Sequence, residues 1–407
     1  MTQPAPGTSP LAALAMAPAD PIISASEAYR ADTNANKVNL SIGIYCDDSG
    51  KVPILDCIKQ AEQNFVAAAK PKSYLPMEGL GAFNRAAQHL LFGAGHGAVR
   101  EGRVVTAQTL GGTGGLKVGA DFMRNLDPRA EVWISDPSWE NHRALFEGAG
   151  FKVQSYPYYD AATRGIRLDA MLATLRALPR GTIVVLHACC HNPTGLDPTP
   201  AQWQAIREVV KEAGLIPFLD IAYQGFAEGL DADAAEVRRF ADECPCVLVA
   251  SSFSKSLSLY SERIGALSIV TGSAEEAKRA LSQIKHVVRA NYSGPPSYGG
   301  CLAANVLTDP ALRKQWDTEL EQMRERIKTM RRQLIEKIRV LRADFDLNYV
   351  VKQRGMFSYS GLTREQVGRL RDEYSIYALD SGRVCVAALN SRNIDYVANA
   401  IAKVLVT

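Results

Sequence analysis

Lys255 is the residue from which most of the chemistry can be argued. It stands in Ser251-Ser252-Phe253-Ser254-Lys255-Ser256-Leu257-Ser258, directly after the apolar run Val247 to Ala250, with Arg263 eight residues on. A buried ammonium costs several kcal/mol unless it is paired or loses its charge. Forming an imine with an aldehyde removes that difficulty, because the lysine becomes a Schiff base. Ser252, Ser254 and Arg263 would then bind an anionic group carried by the same aldehyde. A solvated loop lysine is the plainer alternative for this segment taken alone.

Asp220 shifts the balance. It ends the apolar run Leu215-Ile216-Pro217-Phe218-Leu219, and Tyr223 follows three residues later. An acid in that position needs a cation. Pyridoxal phosphate has an aldehyde, a phosphate and a ring nitrogen that carries a proton, and an acid commonly pairs with that nitrogen. Tyr223 could reach the ring hydroxyl. Lys255 with Asp220 therefore makes pyridoxal 5′-phosphate the candidate cofactor.

Other segments supply further parts. Gly111-Gly112-Thr113-Gly114-Gly115 precedes a helical stretch from Leu116 to Asn125. Glycines let backbone amides approach a phosphate, and a helix N-terminus favours an anion. The run is neither a dinucleotide fingerprint nor a Walker A loop. A plain turn is the alternative. Trp139 could stack on a flat ring or pack in a core. His191-Asn192-Pro193-Thr194-Gly195 follows a buried run; Asn192 could donate to a ring oxygen, and Asn192-Pro193 is a candidate cis bond. Arg383, which opens a strand, and Arg289 are candidate carboxylate clamps, since arginine holds a carboxylate bidentately, with a surface ion pair as the plainer reading for each taken alone.

The elements that must position these residues alternate. Val132 to Ser135, Thr182 to Leu186, Leu215 to Leu219 and Val247 to Ala250 read as buried strands. Between two of them, Pro200 to Ala213 places Trp203, Ile206, Val209 and Val210 on one helical face. Apolar strands with intervening helices imply a largely parallel sheet covered on both faces. Asp136, His191-Asn192, Asp220 and Ser252 to Lys255 each follow such a strand, at the edge where open α/β sheets bind ligands. That shared placement is stronger evidence than any single residue.

From Ala311 to about Ala343 apolar residues recur every three or four positions, from Leu312 through Trp316 and Leu320 to Leu341. A coiled coil fits that pattern, but folded segments on both sides favour one long connecting helix. Beyond it lie a strand near Met356 to Tyr359, a helix from Thr363 with a capping box to Gln366, a strand at Val384 to Ala387 and a helix from about Asn393. The expected organisation is an arm over 1–20, a small α/β domain from 21–52 and 322–407, and a large domain over 53–321.

Composition narrows the class. The chain has 407 residues, of which 47% are hydrophobic and 22% charged, with a net charge of +3. That is ordinary for a globular protein, and the small charge argues against nucleic acid as a partner. No apolar run is long enough for a membrane span, and the start of the chain lacks the basic residues of a secretory signal. The eight cysteines include no C-x-x-C pair. Cys189-Cys190 reads as part of an apolar strand, and all eight as reduced thiols of a cytoplasmic protein; no metal site is expected.

Taken in order, His191 to Gly195, Asp220 to Phe226, Ser252 to Lys255 and Arg289 to Ser293 resemble the class I, fold-type I aminotransferases of the aspartate and aromatic amino acid group, over roughly residues 20 to 400. The resemblance implies a homodimer with shared active sites acting on amino acids and 2-oxo acids. It implies Lys255 as the covalent lysine, Asp220 on the ring nitrogen supported by His142, and Tyr223 with Asn192 on the ring oxygen. Trp139 would stack on the ring. Gly112, Thr113, Ser252, Ser254 and Arg263 would hold phosphate, with Tyr74 of the other subunit. Arg383 would clamp the α-carboxylate, Arg289 of the other subunit would face the distal one, and Gly43 and Phe357 would border the substrate. Cys46, Val52 and Gly294 are smaller or less polar than aspartate-dedicated relatives carry there. That points to an aromatic amino acid aminotransferase also using aspartate, with a broad aspartate aminotransferase as the alternative.

Overall fold

A computed structural model describes Ser9, Leu11 and residues 14–405. At its centre is a seven-stranded sheet. Across the sheet the strands run Val104–Leu110, Ile264–Val270, Val247–Ser252, Ile216–Ile221, Ile183–His187, Glu131–Asp136 and Lys152–Pro157. Ile264–Val270 is antiparallel to both neighbours. The other neighbouring pairs are parallel.

The alternation of side chains divides the interior in two. Val184, Leu186, Leu219 and Val249 point to one core, which contains Trp203, Ile206, Val209 and Val210 of the helix Pro200–Glu212. Ile183, Val185, Phe218 and Leu248 point to the other, which contains Leu116, Phe122, Ile284 and Val288. The sheet is thus buried on both faces, as its unbroken apolar runs require.

Three of these strands are not evident as apolar runs. Val104–Leu110 holds Thr106, Gln108 and Thr109, and Ile264–Val270 holds Gly265 and Ser268. The buried hydroxyls of Thr106 and Ser268 satisfy each other across the two strands at 2.8 Å. Lys152–Pro157 is an edge strand with Lys152 and Ser155 exposed, and only Val153 and Tyr156 are buried, one in each core. The glycine run also differs from expectation. It forms the first turn of the helix Gly111–Leu126 instead of preceding it. Further along that helix, a Cβ on Gly119 would lie 2.5 Å from the Phe218 ring, so glycine permits the helix to lie close on the sheet.

Cys189 and Cys190 lie just past the strand Ile183–His187, not within it, and all eight cysteines are free thiols. Asn192–Pro193 is cis, and so is Asp136–Pro137.

The long helix spans Pro310–Leu341, with the Asp309 carboxylate capping the amides of Ala311 and Leu312. Its apolar stripe is buried except at Leu341, which is 47% exposed. Glu319 accepts from the amides of Asp56 and Cys57, whereas Lys337 pairs with Asp395. One helix therefore packs on both sets of elements, as the single connecting helix requires. The capping box at Thr363 and Gln366 starts the helix Arg364–Tyr374. Arg383–Cys385 pairs with Phe357–Tyr359, and the chain then leaves the expected strand as a 3₁₀ turn over Val386–Ala388. Val38–Asn39 pairs with Ile376–Tyr377, bringing the N-terminal part of the chain to the C-terminal elements. Among the described residues no helix is long and apolar enough to cross a membrane.

Candidate active site

The C-terminal ends of the central strands open onto a cavity of about 280 Å³. Gly112, Thr113, Trp139, Asn192, Asp220, Tyr223, Ser252, Ser254, Lys255 and Arg263 line it, together with Gly43, Phe357 and Arg383. These thirteen residues come from five strand ends, one helix N-terminus and the two terminal regions of the chain. Asp136, which also ends a strand, is exposed and does not reach the cavity.

Asp220 is held from behind. His142 is fully buried, with Nε2 2.9 Å from Asp220 Oδ2 and Nδ1 2.9 Å from Ser138 Oγ. An ionised carboxylate only accepts, so His142 Nε2 carries a proton and donates to it. Burial pushes the Asp220 carboxyl up, but the His142 hydrogen bond and the charges of His142, His187 and Lys255 outweigh it and hold it below the usual value. Asp220 therefore presents a fixed negative charge to the cavity. His142, His187 and Asp220 also bring donor atoms within 4.8 Å of one another, the beginnings of a metal-ligand set. One atom each of His142 and Asp220 is already committed to the bond between them.

Lys255 places Nζ 5.3 Å from the centre of the Tyr223 ring. Burial lowers its pKa to about 8; Asp220 opposes the shift, and Arg263 and Arg383 add to it. About a tenth of this amine is then neutral at pH 7, against roughly one part in 3,000 for an ordinary lysine, and the neutral form is the one a nucleophile requires. Burial raises the Tyr223 phenol, with Arg383 opposing, so it remains a hydrogen-bond donor.

A cradle lies where the helix Gly111–Leu126 begins. A Cβ on Gly112 would come 3.1 Å from Ser252 Cβ, and one on Gly111, whose φ is +68°, would come 2.6 Å from Arg263 Nη2. Only glycine lets the leading turn approach the serines and the guanidinium this closely. Arg263 Nη1 donates to Ser254 Oγ at 3.3 Å. A helix N-terminus, two hydroxyls and a guanidinium form a donor set suited to a phosphate dianion.

Arg383 is 1% exposed. Its Nη1 donates to Asn192 Oδ1 at 3.0 Å and its Nη2 to the Ser41 carbonyl at 2.6 Å. Nε has no partner, and the guanidinium lies 4.1 Å over the Phe357 ring. No carboxylate pairs with it among the described residues. A buried cation without an anion is costly, so this one is built to receive an anion. Gly43 lies against Phe357, where a Cβ would sit 2.7 Å from the ring.

Two expected residues are elsewhere. Tyr74 is fully exposed, and Arg289 is exposed and bonded to Ser293. Both lie on one outer face: Arg289 shares a hollow with Met77, and Gly294 approaches the carbonyls of Leu75 and Pro76. Cys46, Val52 and Gly294 do not line the cavity either, so they are no direct measure of its polarity. The lining instead includes Ile22, Ile42, Ile44 and Tyr260, which no motif announced. His187 also lines it, with both ring nitrogens unpartnered and a pKa lowered to about 3 by burial. It ends its strand opposite Asp220 in register, so the rule that singled out Asp220 could have found it.

Known proteins agree with this geometry. Residues 35–401 match the family model for class I and II aminotransferases. An aspartate aminotransferase of Pseudomonas aeruginosa is 52% identical over 393 residues, 97% of this chain and 99% of the relative. The aromatic-amino-acid aminotransferase of Escherichia coli is 50% identical over 387 residues, 95% and 98% of the two chains. A crystal structure of an aromatic-amino-acid aminotransferase from Burkholderia pseudomallei, covalently bound to pyridoxal phosphate, is 56% identical. It superposes with a TM-score of 0.96, over 98% of this chain and all of that one. With the family and the cavity in agreement, the chain belongs to the class I and II aminotransferases and is an enzyme of amino-group transfer.

Proposed function

We propose that this enzyme moves amino groups from tyrosine and phenylalanine, and also aspartate, to 2-oxoglutarate, using pyridoxal 5′-phosphate in a ping-pong cycle. The observation that carries this reading is Arg383, a buried guanidinium with no acid partner, in the same cavity as Lys255 and Asp220. An α-carboxylate would complete it. When bound, pyridoxal phosphate supplies an aldehyde that captures an amine and a cationic ring that takes up the electron pair released at the α-carbon.

The chain's own residues do the rest. Asp220, with Oδ2 fixed by His142, keeps a proton on the ring nitrogen. Tyr223 donates to the ring oxygen, and so does Asn192 Nδ2, since Asn192 Oδ1 is taken by Arg383. Trp139 covers one ring face. Gly112, Thr113, Ser252, Ser254 and Arg263 hold the phosphate, with Tyr74 of a second copy. Arg383 orients the amino acid, and the neutral Lys255 amine carries the α-proton as a general base and then returns it as an acid. Arg289 of the second copy receives a distal carboxylate. Sites shared across a homodimer account for Tyr74 and Arg289 lying on one outer face.

The aromatic preference is supported by Ile22, Ile42, Ile44 and Phe357 in the lining. Each 100 Å² of ring buried against such a wall is worth about 2.5 kcal/mol. A broad aspartate aminotransferase is the second reading, favoured by the Pseudomonas relative. Residues 21–52 and 322–407 act as one small domain beside 53–321, supported by the pairing of Val38–Asn39 with Ile376–Tyr377. Residues 1–20 serve as an arm, part of which lies outside the described residues. Eight free thiols support a cytoplasmic setting.

Single-turnover mixing tests the assignment. Tyrosine, phenylalanine, aspartate and glutamate should each bleach the visible band of the loaded enzyme. Bleaching by aspartate and glutamate alone would make it an aspartate aminotransferase. No change with any of them would overturn the proposal.

A further inference from the structure

We propose that Tyr260 is a positioning residue whose hydroxyl latches the strip Ile42–Ile44 over the cavity by accepting the amide of Tyr45. This rests on the reading above that Gly43 and its neighbours border the substrate.

The strip is anchored from two sides. On one side it belongs to the C-terminal elements. The Cys385 amide donates to the Leu40 carbonyl, Arg383 to the Ser41 carbonyl, the Cys46 amide to the Ala387 carbonyl, and Arg326 Nη1 to the Cys46 carbonyl. On the other side, toward the loop that carries Lys255, residues 40–46 make one hydrogen bond among the described residues. It runs from Tyr45 N to Tyr260 Oη at 2.9 Å. Tyr260 itself lines the cavity.

Tyr260 is fastened from the opposite direction by its main chain, whose carbonyl accepts from Arg263 Nη1 at 3.0 Å. Arg263 is part of the phosphate cradle. One residue thus touches the cradle through its carbonyl and the substrate-facing strip through its hydroxyl. Loss of the hydroxyl leaves the cradle contact intact and frees only the strip. The neighbouring Ser258 gives a built-in comparison. Its hydroxyl ties the same loop to the Pro53 carbonyl at 2.9 Å, beyond the strip.

The test compares the loaded wild-type enzyme with Tyr260→Phe and Ser258→Ala. Backbone hydrogen exchange is read on peptides covering residues 40–46, with and without 3-phenylpropanoate, which has a carboxylate and a ring but no amino group. Tyr260→Phe should speed exchange in that peptide about three- to tenfold, as expected for one hydrogen bond. KM for phenylalanine and glutamate should rise by a similar factor, with kcat within about twofold. Ser258→Ala should leave exchange at 40–46 unchanged. Three results overturn the latch: unchanged exchange at 40–46 in Tyr260→Phe, an equal rise in Ser258→Ala, or a fall in kcat at constant KM. If the wild-type enzyme turned over none of the four amino acids, the proposed function would fall, while the exchange data would still decide the latch.

Discussion

Arg383 and Arg289 mark two regions of this molecule built to opposite rules. Around Arg383 everything is internal: Asn192, the Ser41 carbonyl and the Phe357 ring hold the guanidinium from within the same chain. Around Arg289 nothing is enclosed, and among the described residues the side chain bonds only Ser293, just past the end of its own helix. A buried cation with no acid is unstable as it stands and calls for a ligand. An exposed one costs nothing and calls for nothing. One chain is therefore enough to read the inner wall, whereas the outer face acquires a role only against a second copy.

The largest expected effect sharpens that comparison. Lys255→Ala should lower turnover by roughly 10⁴-fold or more, since it removes both nucleophile and proton carrier. Mixing unfolded Lys255→Ala and Arg289→Leu chains in equal amounts and refolding them together should then restore glutamate turnover. If sites are shared, half the dimers are mixed and one of their two sites is intact, so about a quarter of wild-type activity returns. If Arg289 serves its own chain's cavity, no intact site forms and nothing returns.

Arg383→Met comes next. It removes two or more charge-assisted bonds to the substrate carboxylate, for a loss of about 10²- to 10³-fold in kcat/KM. The loss should be uniform over phenylalanine, tyrosine, aspartate and glutamate, because all carry the α-carboxylate. A loss confined to dicarboxylates would exchange the roles given to the two arginines. Arg289→Leu alone should cost about 10- to 100-fold for glutamate and aspartate and only a few-fold for phenylalanine. Equal losses for all four would mean that the outer face supports the fold and not the substrate.

The same division explains what was legible in the sequence. Asn192, Asp220 and Lys255 follow continuous apolar runs, so their place at one sheet edge could be read from order alone. The strands Val104–Leu110 and Ile264–Val270 could not, because Thr106 and Ser268 interrupt their apolar pattern and become harmless only when they meet. His187 was readable by the same rule as Asp220, since it directly follows the apolar run Thr182 to Leu186. Ile22, Ile42 and Ile44 come from a helix start and an irregular strip, and no periodicity announces a lining made that way. The role of Tyr74, and the placing of Arg289 on the other subunit, came from resemblance alone, and the subunit-mixing result decides Arg289.

The smallest effect concerns the inner wall without its cofactor. Lys255 protonates at about 8 in the folded chain, against an ordinary value of 10.5. Between those two pH values the unfolded chain binds more protons, so this group's contribution to stability rises with pH across the window and is flat below it. Below pH 8 the folded protein carries the full cost of a desolvated ammonium. Discounted for the partial exposure of Lys255, that cost is about 2 kcal/mol. Cofactor-free Lys255→Met should therefore be more stable than cofactor-free wild type by about 2 kcal/mol at pH 7 in urea unfolding, and the gap should close between about pH 8 and pH 10.5. A gap that does not change with pH would place its origin in packing of the methionine. The charged amine would then be solvated, and the inner wall would resemble the outer face in leaving its cation free of cost.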